Sequence, residues 1–186
     1  MTTKGMRLLF AGLLLGAAMP ALAQTKTSDE KKLDKAAMTM NKEAAKPEGE
    51  AAVKAKLSEE FGVDAARVQA LRDQKLGYGE IGIVLSLAQG MNGGITDANV
   101  QQIMTMRKGP PVMGWGQISN KLGEKLGPVI SKVKKVSSAA RREAAEKVRL
   151  MKRERTEKRE AARQEERHEV MERMQTHERP EPPAKR

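Results

Sequence analysis

The chain has no cysteine, which removes disulfides, thiolate metal sites, thiol nucleophiles and a lipid-modified cysteine together. Aromatics are nearly missing too, with one Trp, one Tyr and two Phe among 186 residues. A core must therefore come from aliphatic side chains and methionine. Only two histidines occur, His168 and His177, both toward the C-terminal end, and neither Ser86 nor Ser119 sits in a Gly-x-Ser-x-Gly setting. His-Glu-x-x-His is absent, and Gly90-Met91-Asn92-Gly93-Gly94 lacks the lysine of a phosphate loop, so it reads as a turn. No combination of residues makes an enzyme, and no catalytic residue or cofactor is expected. Beyond residue 18 no apolar run approaches the roughly 20 residues a membrane-spanning helix needs, so the mature chain is expected to have no transmembrane span.

What the chain does have begins with a secretory pattern. Lys4 and Arg7 precede the apolar run Leu8–Ala18, and Ala21-Leu22-Ala23 offers a small-x-small cleavage site. Residues 1–23 are thus expected to be a signal peptide, cleaved near Ala23/Gln24, with the mature protein periplasmic or secreted. Net charge is +11. From Ser131 to Arg186 there are 18 Lys and Arg against 11 Asp and Glu, a local excess of 7. Such a tail suits anionic partners: lipid head groups, lipopolysaccharide, acidic glycans or an acidic protein. The alternative is a solvated charged helix.

Composition divides the rest. Residues 24–50 are rich in Lys, Glu and Ala and end on Pro47 and Gly49, which predicts a disordered spacer. A helical domain is expected over residues 51–136. Val53, Leu57 and Phe61 recur at four-residue spacing from Ala51 to Phe61, Asp64 caps Ala65–Lys75, and a further helix runs from Tyr78 to Gln89. Thr96 then caps Asp97–Met106, Gly109-Pro110-Pro111 breaks the chain, Trp115–Leu122 follows, and Gly127-Pro128 restarts a helix. Residues 137–176 are nearly all strong helix formers and read as a long exposed charged helix, with pairs such as Glu154–Lys158 and Glu169–Arg173 at helical spacing. Val148, Met151, Val170 and Met174 are too sparse for a sustained coiled-coil seam. Residues 177–186 read as a disordered Pro-rich tail.

Within the domain a pentapeptide recurs. Gly77-Tyr78-Gly79-Glu80-Ile81 and Gly114-Trp115-Gly116-Gln117-Ile118 lie 37 residues apart and hold the only Tyr and Trp. Upstream, Asp64, Ala66, Val68 and Leu71 match Thr96, Ala98, Val100 and Ile103 at an offset of 32. Each unit is a helix, a glycine turn carrying an aromatic, and a second helix, so the fold class is all-α with two repeated helical hairpins that bury each other's apolar faces. Tyr78, Glu80, Trp115 and Gln117 are either a binding surface, with the rings open to a sugar or peptide, or hairpin staples, with the rings packed and Glu80 and Gln117 capping helix starts.

The stretch Arg107 to Val129, with Gly114-Trp115-Gly116-Gln117-Ile118, Leu122-Gly123 and Lys125-Leu126-Gly127-Pro128-Val129, resembles uncharacterised exported bacterial proteins bearing a Gly-Trp-Gly-x-Ile-x-x-x-Leu-Gly signature. The resemblance covers roughly Leu57 to Val136 and implies a small helical exported domain, with no functional residue to transfer. Two sharper patterns remain. Ile118, Ser119, Gly123 and Val129 follow helix-turn-helix spacing, with Lys132, Lys134 and Lys135 on the next helix, although export makes nucleic acid an improbable partner. His168, Met171, Met174 and His177 form a His-x-x-Met-x-x-Met-x-x-His run of soft-metal ligands suited to Cu(I) or Ag(I). A helix advances about 100° per residue, so only neighbouring pairs could share an ion.

Overall fold

The computed structural model describes residues 26–177, with side chains to 175, and among them places seven helices and no strand. They are α1 (Ser28–Ala44), α2 (Gly49–Phe61), α3 (Ala65–Asp73), α4 (Tyr78–Gly90), α5 (Asp97–Lys108), α6 (Trp115–Leu122) and α7 (Leu126–His177). The expected signal peptide and most of the Pro-rich tail lie outside the described residues.

The spacer expected over residues 24–50 is instead largely helix from Ser28 onward. A capping box starts α1: the Thr27 hydroxyl accepts from Glu30 N–H at 3.2 Å, and the Glu30 carboxylate accepts from Thr27 N–H at 2.8 Å. Leu33, Ala36, Ala37 and Met40, spaced as i, i+3, i+4 and i+7, are all buried. Two of the four are alanines, so the stripe is thin in apolar area yet flat enough to seat another backbone close by. Low hydropathy concealed a core helix.

At the centre lies α4, in which every residue from Ile81 to Ala88 is buried. A helix that is apolar all round needs a complete coat. The partner hairpin supplies only one side of it, through α5; α1, α2, α3 and α7 supply the rest. The expectation that the hairpins bury each other's apolar faces is therefore met only in part, through α4 and α5, while α1 reaches both hairpins through α4 and α6 and α7 packs on α4.

The long helix also begins deeper than expected. Val129, Ile130, Val133, Val136, Ala140 and Ala144 of α7 are buried, so the core extends two turns past the boundary expected at Val136. Ion pairs fasten the same stretch: Lys135–Glu60 at 2.7 Å, Glu143–Lys56 at 3.1 Å and Lys147–Glu48 at 2.8 Å. From Arg149 to Gln175 every side chain is exposed. At 1.5 Å per residue this free arm is about 40 Å long.

Candidate functional site

The two pentapeptides are the starts of α4 and α6, and they are built alike. Glycine is the N-cap, the aromatic is the first helical residue, and a second glycine and Glu80 or Gln117 complete the first turn. Glu80 accepts from the Gly77 N–H at 3.2 Å and Gln117 accepts from the Gly114 N–H at 2.9 Å, half of a capping box in which glycine stands for serine. In both units an arginine from the preceding helix lies over the ring. The Arg72 guanidinium is 4.5 Å from the Tyr78 centroid, and that of Arg107 is 4.6 Å from the centre of Trp115. The same guanidiniums donate to the carbonyls just before the N-cap glycines, Arg72 to Leu76 and Arg107 to Met113. Each aromatic is thus clamped between its own arginine and the core.

A single helix completes both clamps. Asn41 Oδ1 accepts from the Gly79 N–H at 2.9 Å, and Glu30 Oε1 accepts from the Gly116 N–H at 2.8 Å. Gly79 and Gly116 hold the same place in their helices, and these N–H groups are among those a helix start leaves unpaired. Glu30 and Asn41 are eleven residues apart, three turns or about 16 Å along α1, so one stripe of α1 serves both repeats. Both glycines permit this approach. A methyl on Gly79 would lie 2.5 Å from Ala37 Cα, and one on Gly116 would lie 2.6 Å from the Glu30 carboxyl carbon. The Thr27 backbone N–H, and after it that of Gly116, holds the Glu30 carboxyl below its usual range against a partial desolvation. A cross-tie joins the units where Arg107 approaches Glu80 at 3.9 Å.

Tyr78 and Trp115 are each only 4% exposed, so neither ring is an open platform for a ligand. Burial, then the hydrogen bond that the Tyr78 hydroxyl donates to Glu50 at 2.9 Å, pushes the phenol pKa up. Beside Trp115 a cleft of about 840 Å³ opens between the start of α1 and the α6–α7 turn. Charges of both signs line it, Asp29, Glu30 and Asp34 with Lys26, Arg107 and Lys125. The Ser119 hydroxyl at its edge is spent on the Glu124 carbonyl. Nothing there pairs a nucleophile with a base.

The helix-turn-helix spacing does correspond to a bend: α6 ends at Gly123, whose φ of 72° suits glycine, and Ile118 and Val129 are both buried in the core. The helix that would read DNA, however, is the buried start of α7, packed against α1, α2 and α4. Lys132 is held by Gln89 at 2.7 Å and Lys135 by Glu60 at 2.7 Å, leaving Lys134 of the three without a described partner. The soft-metal run lies on the outer arm. His168 is exposed, Met171 and Met174 are 62% and 66% exposed, and His177 is the last helical residue. His168, Met171 and Met174 stand at three-residue intervals on one continuous helix, and among the described residues no group of three or more His, Asp and Glu is gathered for a metal.

Sequence reasoning missed Glu30, Asn41, Arg72 and Arg107. The arginines are 35 positions apart, between the offsets of 32 and 37, so neither alignment of the repeat pairs them. Glu30 left one readable trace, as the fourth residue of Thr27-Ser28-Asp29-Glu30. Compared with known protein families, curated proteins and solved structures, the chain matches none.

Proposed function

We propose that the protein is a non-enzymatic, exported interaction protein of the periplasm, in which the helical domain is a mount and the outer part of α7 an arm that engages anionic components of the envelope. The observation that carries this reading is the continuity of α7: one 52-residue helix is anchored by its first five turns and then projects with every side chain from Arg149 to Gln175 exposed. A helix rooted in a core keeps its direction, so its charges act at a distance from the domain. Between Arg149 and Arg163 the arm carries seven Lys and Arg against three Glu. Support for export comes from Lys4, Arg7, the run Leu8–Ala18 and Ala21-Leu22-Ala23.

The test is a chain ending at Val148, which keeps every buried residue of α7. Its thermal unfolding should match that of the full chain, while retention on phosphatidylglycerol vesicles, lipopolysaccharide and acidic glycan should fall at low salt, where charges act over about 10 Å or more. Undiminished retention would remove the arm from the function.

A further inference from the structure

Charge on α7 is sorted by face. Stepping about 100° per residue, Arg141, Arg149, Lys152, Arg155, Arg159 and Arg163 all fall within about 60° of Lys134. On the same count every carboxylate of this stretch, Glu143, Glu146, Glu154, Glu157 and Glu160, lies about 80° or more away. The stripe ends where Glu166 enters its sector. None of these seven cations has an ion pair or side-chain hydrogen bond with a described residue, whereas Lys135 and Lys147, on other faces of the same helix, are paired with Glu60 and Glu48.

The inner end of the stripe opens into a groove. Between α1 and α7 a cavity of about 440 Å³ is lined by Lys32, Lys35 and Lys134, by the hydroxyls of Thr39, Ser137 and Ser138, and by Ala36. Among the described residues no carboxylate lines it. Of the three lysines only Lys32 is paired, with Asp29 at 2.9 Å. The Thr39 hydroxyl is spent on the Lys35 carbonyl at 2.8 Å, which leaves the ammonium groups and the serine hydroxyls, without a competing acid, as the donor set that phosphate and sulfate oxygens take.

We infer that the groove and the stripe form one binding track for a linear polyanion, its end seated among Lys35, Lys134 and Ser138 and its length running along Arg141, Lys152, Arg159 and Arg163. From Lys134 to Arg163 the track measures about 44 Å. A chain fits it better than a membrane does. The inner end is a recess between two helices, which a flat surface does not enter. The large apolar side chains of the arm's inner half, Leu150 and Met151, lie about 160° and 100° from the stripe on opposite sides, so no apolar face accompanies it into a bilayer as in an interfacial helix. This rests on the proposed anion-binding arm and assigns the face and the kind of ligand.

Two charge-matched variants of the full chain decide it. K152Q/R159Q removes one Lys and one Arg from the stripe; R153Q/K158Q removes the same pair from faces about 100° and 120° away. With inorganic polyphosphate at low salt, K152Q/R159Q should bind on the order of tenfold more weakly, and its slope of log K against log salt should shrink by about 1.4, or about 0.7 per lost contact. R153Q/K158Q should bind like the parent chain, and K35Q/K134Q should weaken binding by a similar factor. Equal weakening by the two arm variants overturns the track while leaving the anion-binding arm in place. Failure of the parent chain itself to bind polyphosphate or anionic vesicles overturns both. Binding to phosphatidylglycerol vesicles that polyphosphate does not displace makes a membrane the occupant and overturns the polymer.

Discussion

Three glycines of α4 and α6 separate the contribution of α1 from that of helix propensity. Alanine at any of them brings up to about 1 kcal/mol of intrinsic helix preference, most at mid-helix Gly82. What the added methyl meets is different in each case. At Gly82 it finds only side-chain tips, Met40, Val133 and Leu57, at 3.4, 3.5 and 3.6 Å, which is ordinary contact. At Gly116 it meets the flexible Glu30 carboxylate at 2.6 Å, which can swing aside at the loss of one hydrogen bond, about 1 kcal/mol. At Gly79 it meets backbone: Ala37 Cα at 2.5 Å and its carbonyl carbon at 2.6 Å. Backbone cannot rotate away, so α1 must shift and the Asn41 bond lengthen, an overpacking cost of about 1–3 kcal/mol. The expected order of stability is G82A at or above the parent chain, then G116A, then G79A, with roughly 5–10 °C between the extremes at about 2–4 °C per kcal/mol. Thermal melts followed by circular dichroism read this directly. If G79A melts with G82A, α1 is not seated against α4 at Ala37, and the account of both clamps is lost.

Two further outcomes test the clamps. The folded-state pKa of Glu30 is depressed, so its contribution is complete at neutral pH and declines as pH falls below the ordinary carboxylate range; E30Q, which keeps the acceptor oxygen, should flatten that part of the stability–pH profile, and an unchanged profile would refute the assignment. Removing the Arg107 guanidinium with R107A should cost about 1–2 kcal/mol, combining the lost ring contact with the unpaired Met113 carbonyl. It should also make Trp115 fluorescence more open to iodide quenching, and equal quenching in parent and variant would show that the arginine does not cover the ring.

The parts of this fold that were legible in the sequence are those where the chain punctuates itself. Asp64 and Thr96 accept from the third helical N–H of α3 and α5, and the glycine–aromatic pairs start α4 and α6 where the repeat put them. Local chemistry of this kind needs no partner to be recognised. The helix α1 was illegible for the opposite reason: its buried stripe relies on Ala36 and Ala37, which count little in hydropathy, and their value lies in letting Gly79 come close. The reach of the core to Ala140 and Ala144 was hidden likewise, because alanine reads as a helix filler until another helix lies against it. The clamps themselves join residues as distant as Glu30 and Gly116, beyond any spacing rule.

Because α1 supplies one acceptor to each repeat, the two halves of the domain cannot loosen separately. Lifting α1 frees the Gly79 and Gly116 amides together, uncovers α4 along Gly79 and Gly82, and removes one wall of the groove beside α7. In amide hydrogen exchange the duplicated units should therefore open as a single cooperative block, with one opening free energy at both glycines. Duplication here has produced two copies under common control rather than two independent modules, and the residues exercising that control come from the lysine-rich segment that least resembles a core.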